Sequence, residues 1–262
     1  MSRCAITGAA AGIGRALALE LGAAGHDVLG LDVDRSASEA TADELRSRGV
    51  EASFLHADLA APAGAEAAAA ELVAAVSANG TLDVLVHNAG INAVGAFAES
   101  DLAAQKRVLA INLTAPLILT ARLLEAGAVG AGGTIVFVSS LSRFVGYPGA
   151  AAYAASKDGL ASYARSLSVA LAPSRIHVLT VYPGPTRTEH ARRHSPAGSS
   201  EERRMPPEEL ARRIRRAIDA RRRVLVPGAA NAFFATLGHV APRVAEGAMR
   251  KAIFDKLPTG PR

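Results

Sequence analysis

Short apolar runs alternate with longer helix-compatible stretches along most of the chain, and this alternation restricts the fold more than any other feature. Residues 4–7, 27–32, 52–56, 82–87, 134–139, 177–182 and 224–226 read as strands. Several are continuously apolar, as expected of strands covered on both faces of a parallel sheet. The stretches 13–24, 37–48, 65–78, 102–126 and 151–171 have helical length and composition. The pattern predicts a doubly wound parallel α/β sheet of about seven strands, with helices on both faces and right-handed crossovers. No repeat or linker interrupts it. Residues 1–262 therefore read as a single domain, with an insertion at 189–207 and a helical extension at 229–262.

Composition agrees. Half of the 262 residues are hydrophobic and only 4% are aromatic, so Ala, Gly, Val and Leu must build the core. That is too apolar for a disordered chain, and the 24 glycines lack a collagen triplet period. The single cysteine, Cys4, excludes an internal disulfide scaffold, and the seven histidines lack metal-ligand spacing, so no metal site is expected. With Met1–Arg3 leading straight into the first strand, the expected location is cytoplasmic.

Charge is uneven. Residues 1–190 carry 13 Lys+Arg against 17 Asp+Glu, whereas 191–262 carry 16 against 7. The excess comes from Arg192, Arg193, Arg203, Arg204, Arg212, Arg213, Arg215, Arg216 and Arg221 to Arg223. Leu210, Ile214, Ala217 and Ile218 fall on one helical face, so the arginines are expected to point to water. An anionic partner is the other reading. Nucleic acid is not expected, because no aromatics interleave with the basic residues. Residues 224–242 lack Lys, Arg, Asp and Glu over about the length of a membrane span, but Pro227, Gly228, Asn231, Gly238 and His239 interrupt them. They read as a strand, a turn and a helix bearing Phe233, Phe234, Leu237 and Val240. That helix could close a pocket, pack in a dimer or touch a membrane surface.

In an open α/β sheet the ligand lies beyond the carboxyl ends of the strands. The first strand ends in Thr7-Gly8-Ala9-Ala10-Ala11-Gly12-Ile13-Gly14, a glycine-rich turn that allows a diphosphate to approach a helix N-terminus. The second ends at Asp32, whose carboxylate would accept hydrogen bonds from adenosine ribose hydroxyls and repel a 2′-phosphate. No basic residue occupies positions 9, 10, 11 or 33, although Arg15 and Arg35 are near, so NAD is favoured over NADP. Ser140 follows the fifth strand, Tyr153 lies 13 residues later, and Lys157 lies one helical turn beyond it. A nearby ammonium favours the phenolate, which would let Tyr153 exchange a proton with an alcohol or ketone. Ser140 would hydrogen-bond the same oxygen. Ser139 competes for that role, and the 13-residue spacing favours Ser140.

These motifs resemble, in order and from Arg3 to about Gly228, those of the short-chain dehydrogenase/reductase family. The resemblance implies a Rossmann-type fold and a catalytic tetrad of Asn112, Ser140, Tyr153 and Lys157. Asn112 would hold a helix distortion and a water of a proton relay. It also implies that Thr7, Gly8, Gly12, Ile13, Gly14, Asp32, Asp58 and Leu59 contact the cofactor, with Asp58 at the adenine. The same holds for Asn88, Ala89, Gly90, Tyr153 and Lys157, and for Pro183, Gly184, Thr186 and Thr188 near the nicotinamide and diphosphate. His87 departs from the family's N-N-A-G by replacing the first Asn.

The expected activity is NAD-dependent interconversion of a secondary alcohol and a ketone, and the resemblance implies hydride transfer at the B face of the nicotinamide. Alternatives are an NADPH-dependent reductase of a carrier- or CoA-linked ketoacyl group, and a non-catalytic nucleotide-binding scaffold. Phe97, Phe144, Val145 and Tyr147, in segments 91–97 and 141–152, suggest an apolar small-molecule substrate, while segment 184–205 supplies the remaining wall. Tyr163 reads as helix surface, and His190 and His194 as solvent-exposed. The family implies a homodimer or homotetramer pairing through the helices at 102–126 and 151–171.

Overall fold

The computed structural model describes residues 2–78, 80–95, 101–144, 147, 149–193, 201–202 and 204–252. Phe97, Val145, His194 and Arg203 lie outside the described residues, as does the end of the extension beyond residue 252.

The first half runs β1 (Ser2–Thr7), α1 (Gly12–Ala23), β2 (His26–Asp32), α2 (Arg35–Ser47), β3 (Ala52–His56), α3 (Gly64–Ser77) and β4 (Leu82–His87). Next come α4 (Leu102–Leu109), a π-helical turn (Ala110–Thr114), α5 (Ala115–Glu125) and β5 (Val129–Val138). A 3-10 turn (Leu141–Arg143) leads to α6 (Ala151–Ala170) and β6 (His177–Val181). The chain continues through α7 (Glu189–Arg193), α8 (Pro207–Asp219), β7 (Val224–Leu225), α9 (Ala229–Val240) and α10 (Pro242–Ala252).

The strands form one parallel seven-stranded sheet in the order β3-β2-β1-β4-β5-β6-β7. Strand order reverses between β1 and β4, so a crevice opens there at the carboxyl ends. One face of the sheet packs Leu17 and Leu21 of α1, Leu45 of α2, and Leu210 and Ile214 of α8. The other packs Leu72 of α3, Leu119 and Leu123 of α5, and Leu160 of α6. Each such buried leucine contributes about 1.5–3 kcal/mol through removal of apolar surface from water. The two layers hold the strand ends, and with them the turns that follow, at fixed spacing.

One element differs from the sequence reading, and another carries the helix distortion that the resemblance implied at Asn112. β5 begins at Val129 rather than at residue 134, because the glycine-rich stretch 130–133 stays in the sheet with a register shift against Leu82 and Val84. The helix expected over 102–126 is divided by the π-helical turn. By length and composition Leu102–Glu125 could cross a bilayer; here Leu119 and Leu123 are fully buried in the core. Residues 224–240 form the expected strand, turn and helix.

On α8 the periodicity behaves as expected. Leu210, Ile214, Ala217 and Ile218 are buried. Arg212 and Arg213 bond Glu209, and Arg215 bridges Glu20 and Asp219 at 2.7 Å each. Arg204 does not follow them: it is 7% exposed.

Candidate active site

The glycine turn after β1 is shaped by backbone contact. Gly8 has φ +66°, and a Cβ there would lie 2.9 Å from Ala89 Cα. At Gly14 a Cβ would lie 1.9 Å from the Gly8 carbonyl oxygen, so α1 can start this close to β1 only without a side chain. Thr7 and Asn88 tie the turns after β1 and β4 together. The Thr7 hydroxyl accepts from the Asn88 and Ala89 amides at 3.1 and 3.0 Å. The Asn88 side-chain Nδ2 donates to the Thr7 and Gly8 carbonyls, both at 3.1 Å.

Asp32 accepts from the Ala10 and Asp34 amides at 2.9 and 3.1 Å. Asp58 accepts from the Ala60 amide at 2.9 Å. Both acids line a cleft of about 1230 Å³, together with Gly8, Gly12, Ile13, Leu59, Asn88, Ala89 and Gly90. Ser140, Tyr153, Lys157, Pro183, Gly184, Thr186 and Thr188 line it too. Three expected residues do not line it and act from behind: Thr7, Gly14 and Asn112. A cleft this large exceeds the roughly 300–1,000 Å³ of an ordinary small-ligand pocket. With its glycine turn at one end and the Asp32 carboxylate in its wall, it has room for a dinucleotide together with a substrate.

At the other end of the cleft Ser140 and Tyr153 line it together, and the Ser140 hydroxyl accepts from the Ser142 amide at 3.1 Å. Burial pushes the Tyr153 phenol up, and Ser140 opposes it. Lys157 Nζ lies 5.8 Å from the Tyr153 ring centroid and donates to the Val138 carbonyl at 2.8 Å. Burial brings the Lys157 ammonium down to about 8. Ser139 plays a different part: it is buried, and its hydroxyl donates to the Lys157 carbonyl at 2.9 Å. Asn112 is fully buried in the π-helical turn. It accepts from the Ile91 amide at 2.9 Å and donates to the Ile91 carbonyl and Ser156 hydroxyl at 3.0 and 3.1 Å. The extra residue of the turn carries Asn112 inward to lock the β4 loop against α6.

Beyond Tyr153 the wall holds Tyr147, whose ring centroid is 6.3 Å from that of Tyr153. Phe144 packs instead against Tyr182, centroid to centroid 5.1 Å, outside the cleft lining. Tyr163 packs edge-on against Phe137 beneath the sheet, partly buried rather than on the helix surface. The segments 91–97, 141–152 and 184–205, expected to wall the pocket, supply three polar residues to the lining: Asn92, Ser142 and Arg204. Asn92 Oδ1 and Ser142 Oγ are buried with no hydrogen-bond partner among the described residues. No motif marks these positions, because loop packing rather than spacing brings them in. The α9 residues Asn231, Phe234 and Ala235 and the α10 residue Met249 close the far side. Pocket closure, one of three roles open for the 224–242 region, is thus part of what α9 does.

His87 serves the scaffold. It is 2% exposed, its Nε2 lies 2.8 Å from Thr120 Oγ1, and its ring stacks on Phe137 at 5.0 Å. Burial holds the imidazole down at about 3. Between that value and the ordinary 6.5 the unfolded chain binds a proton that the folded chain refuses, so stability falls as pH drops through this window. The urea midpoint of the native protein is therefore expected to fall between about pH 7 and about pH 4.5, and less steeply in His87→Asn. Equal slopes in the two proteins would remove His87 as the cause.

Residues 3–198 match the family model for short chain dehydrogenases. The chain is 35% identical over 190 residues to trans-4-hydroxycyclohexanecarboxylate dehydrogenase of Sinomonas cyclohexanicum, covering 70% of this chain and 71% of that protein. It is 32% identical over 185 residues to 3-oxoacyl-(acyl-carrier-protein) reductase of Aquifex aeolicus, covering 70% and 73%. Among solved structures, an angucycline C-6 ketoreductase with bound NADP superposes with a TM-score of 0.75 at 30% identity, covering 84% and 90%.

Proposed function

The chain belongs to the short-chain dehydrogenase/reductase family, oxidoreductases of CH–OH and C=O groups that bind NAD(P), and on that premise we propose that it interconverts a secondary alcohol and a ketone with NAD. The observation that carries this reading is that Ser140, Tyr153 and Lys157 line the same cleft, with the Lys157 ammonium 5.8 Å from the centroid of the Tyr153 ring. A bound nicotinamide dinucleotide supplies the hydride acceptor or donor. The protein supplies the proton and the orientation. Ser140 hydrogen-bonds the substrate oxygen, and Tyr153 takes its proton in oxidation or returns it in reduction. Lys157, fixed by the Val138 carbonyl, places a cation where it favours the phenolate against the cost of burial. Asn112 positions the β4 loop and α6 relative to each other.

Gly8, Gly12, Ile13, Asp58, Leu59, Asn88, Ala89, Gly90, Pro183, Gly184, Thr186 and Thr188 are proposed to hold the dinucleotide, with Thr7 and Gly14 supporting them. Two features of the ribose end favour NAD. The Asp32 carboxylate lines the cleft where a 2′-phosphate would meet it, and the guanidinium of Arg15 is engaged by Glu44. A second reading, an NADPH-dependent ketoacyl reductase, draws on the NADP of the solved ketoreductase and the carrier-linked substrate of the Aquifex relative. Calorimetric titration with both dinucleotides separates the two. NAD is expected to bind about tenfold tighter or more, a difference of about 1.4 kcal/mol, and Asp32→Ala to narrow the gap. Tighter NADP binding would turn the assignment to the second reading. Following reduced-nicotinamide absorbance across a panel of cyclic alcohols and ketones then tests the activity itself.

We also propose a homo-oligomer formed through α4, α5 and α6. Support comes from exposed apolar side chains there: Leu102 is 63% exposed, Leu109 38% and Val169 70%.

A further inference from the structure

Arg221 and Arg223, from the basic stretch 191–262, meet Arg175 in a second pocket at the rim of the sheet opposite the catalytic cleft. The pocket has a volume of about 300 Å³, and His177 and Ser168 also line it. Arg175 lies in the turn that enters β6, Arg221 and Arg223 lie in the turn that enters β7, and Ser168 is near the end of α6. The cleft faces the carboxyl ends of the same parallel strands, a strand length of roughly 15 Å away. Gly132, in the glycine-rich start of β5, brings two of the arginines together. Its amide donates to the Arg175 carbonyl at 3.1 Å, and a Cβ on it would lie 3.8 Å from Arg221 Nη2. Arg223 is fixed at both ends. Its carbonyl accepts from the Thr180 amide at 3.0 Å, and its guanidinium donates to the Ser168 hydroxyl at 2.5 Å.

These three arginines differ from those of α8 in their partners. Arg212 and Arg213 bond Glu209, and Arg215 bonds Glu20 and Asp219. No carboxylate among the described residues bonds Arg175, Arg221 or Arg223. Two of them also occupy backbone that favours glycine, with φ +57° at Arg175 and +52° at Arg221. Arg221 follows α8 in a Schellman turn, its amide on the Ile218 carbonyl and the Arg222 amide on the Ala217 carbonyl, both at 2.9 Å. A cation at a helix C-terminus is favourable in its own right, and that is the competing account. It falls short in magnitude, because the ends of α6 and α8 supply only about half a negative charge each against three guanidiniums. About two positive charges therefore converge on the pocket without compensation. A guanidinium matches phosphate oxygens in pairs, and a phosphate dianion balances that charge where a single carboxylate would not. We propose that the pocket binds a terminal phosphate, as carried by a phosphate monoester or by pyrophosphate, at a site separate from the catalytic cleft. Binding here requires neither a dinucleotide nor turnover.

Calorimetric titration of the full chain with pyrophosphate and with glycerol 3-phosphate, in about 0.15 M sodium chloride, reads the site directly. The native protein is expected to bind one equivalent with a Kd below about 1 mM. Combining Arg175→Gln with Arg221→Gln should weaken binding by about tenfold or more, the scale of lost charge-assisted hydrogen bonds. Combining Arg175→Gly with Arg221→Gly should weaken it equally while preserving the urea midpoint, because glycine suits both backbone positions. As a control, Arg212→Gln with Arg213→Gln removes the same charge from α8 outside the pocket and should leave the affinity within about twofold. Equal binding by the native protein and the glycine variant would put the anion elsewhere, the diphosphate turn included, and would overturn the proposal. So would equal weakening in the α8 control, or a native protein that binds neither ligand. Sedimentation with phosphatidylcholine vesicles carrying phosphatidic acid separates the sources of the phosphate. Co-sedimentation that the glycine variant loses assigns a lipid headgroup, and binding of the soluble ligands alone assigns a free phosphate.

Discussion

Replacement of Tyr153 by phenylalanine is expected to lower kcat by about 10²–10⁴-fold, the range supplied by a positioned general acid or base. The variant loses only the hydroxyl. The ring stays against Tyr147 and Lys157, and the cleft keeps its shape. Dinucleotide affinity measured by calorimetry is therefore expected to change by less than about threefold, which separates loss of chemistry from loss of binding. Retained turnover in Tyr153→Phe would end the assignment of the phenol as proton donor and acceptor. In the native protein the pH profile of kcat should show a basic limb in the oxidative direction, because burial raises the phenol and the proton must leave it before the alcohol can be deprotonated.

The second large effect belongs to Gly14. An alanine there would place its Cβ 1.9 Å from the Gly8 carbonyl oxygen and 2.6 Å from the Asn88 amide nitrogen. The tie between the β1 and β4 turns fixes both of these neighbours, so the clash is resolved only by moving α1 away from the sheet. Overpacking of this kind costs about 1–3 kcal/mol. It also displaces the backbone that is proposed to receive the diphosphate, so dinucleotide affinity should fall by about tenfold or more. Gly247, inside α10, is the reference, since a methyl group added there would meet no heavy atom within 4 Å. Gly247→Ala is expected to leave urea stability and binding unchanged or slightly improved. If Gly14→Ala binds and unfolds like the native protein, the close packing at the turn is not what holds the site.

Much of this was legible in the sequence because it depends on local rules. The seven strands and the major helices follow from periodicity and length, and the glycine turn, Asp32, Ser140, Tyr153 and Lys157 each sit where a strand end or a helical turn puts them. The enzymatic reading, against a non-catalytic scaffold, is the one that the family relationship supports. What local rules miss has identifiable causes. Residues 130–133 precede the apolar run that marks the strand, yet they belong to β5 as an irregular stretch between the pairs Leu82–Val129 and Val84–Thr134. Arg204 shares its composition with the solvated arginines of α8, and only the bridge between Met205 and Thr186 turns it inward. The orphaned oxygens of Asn92 and Ser142 likewise depend on how two loops meet. The expected pairing of the Tyr153 phenol with the Lys157 ammonium is not made: the ammonium bonds the Val138 carbonyl and lies 5.8 Å from the ring centroid, and burial raises the phenol.

The four hydrogen bonds joining Thr7 and Gly8 to Asn88 and Ala89 across the sheet's switch point have an energetic corollary. They are made by the protein alone, so the conformational entropy of the two turns is surrendered during folding rather than at the moment a dinucleotide arrives. The binding platform is pre-organised, and its rigidity is a property of the central strands. With the cofactor held as proposed, loosening β1 against β4 is expected to lower both cofactor affinity and global stability.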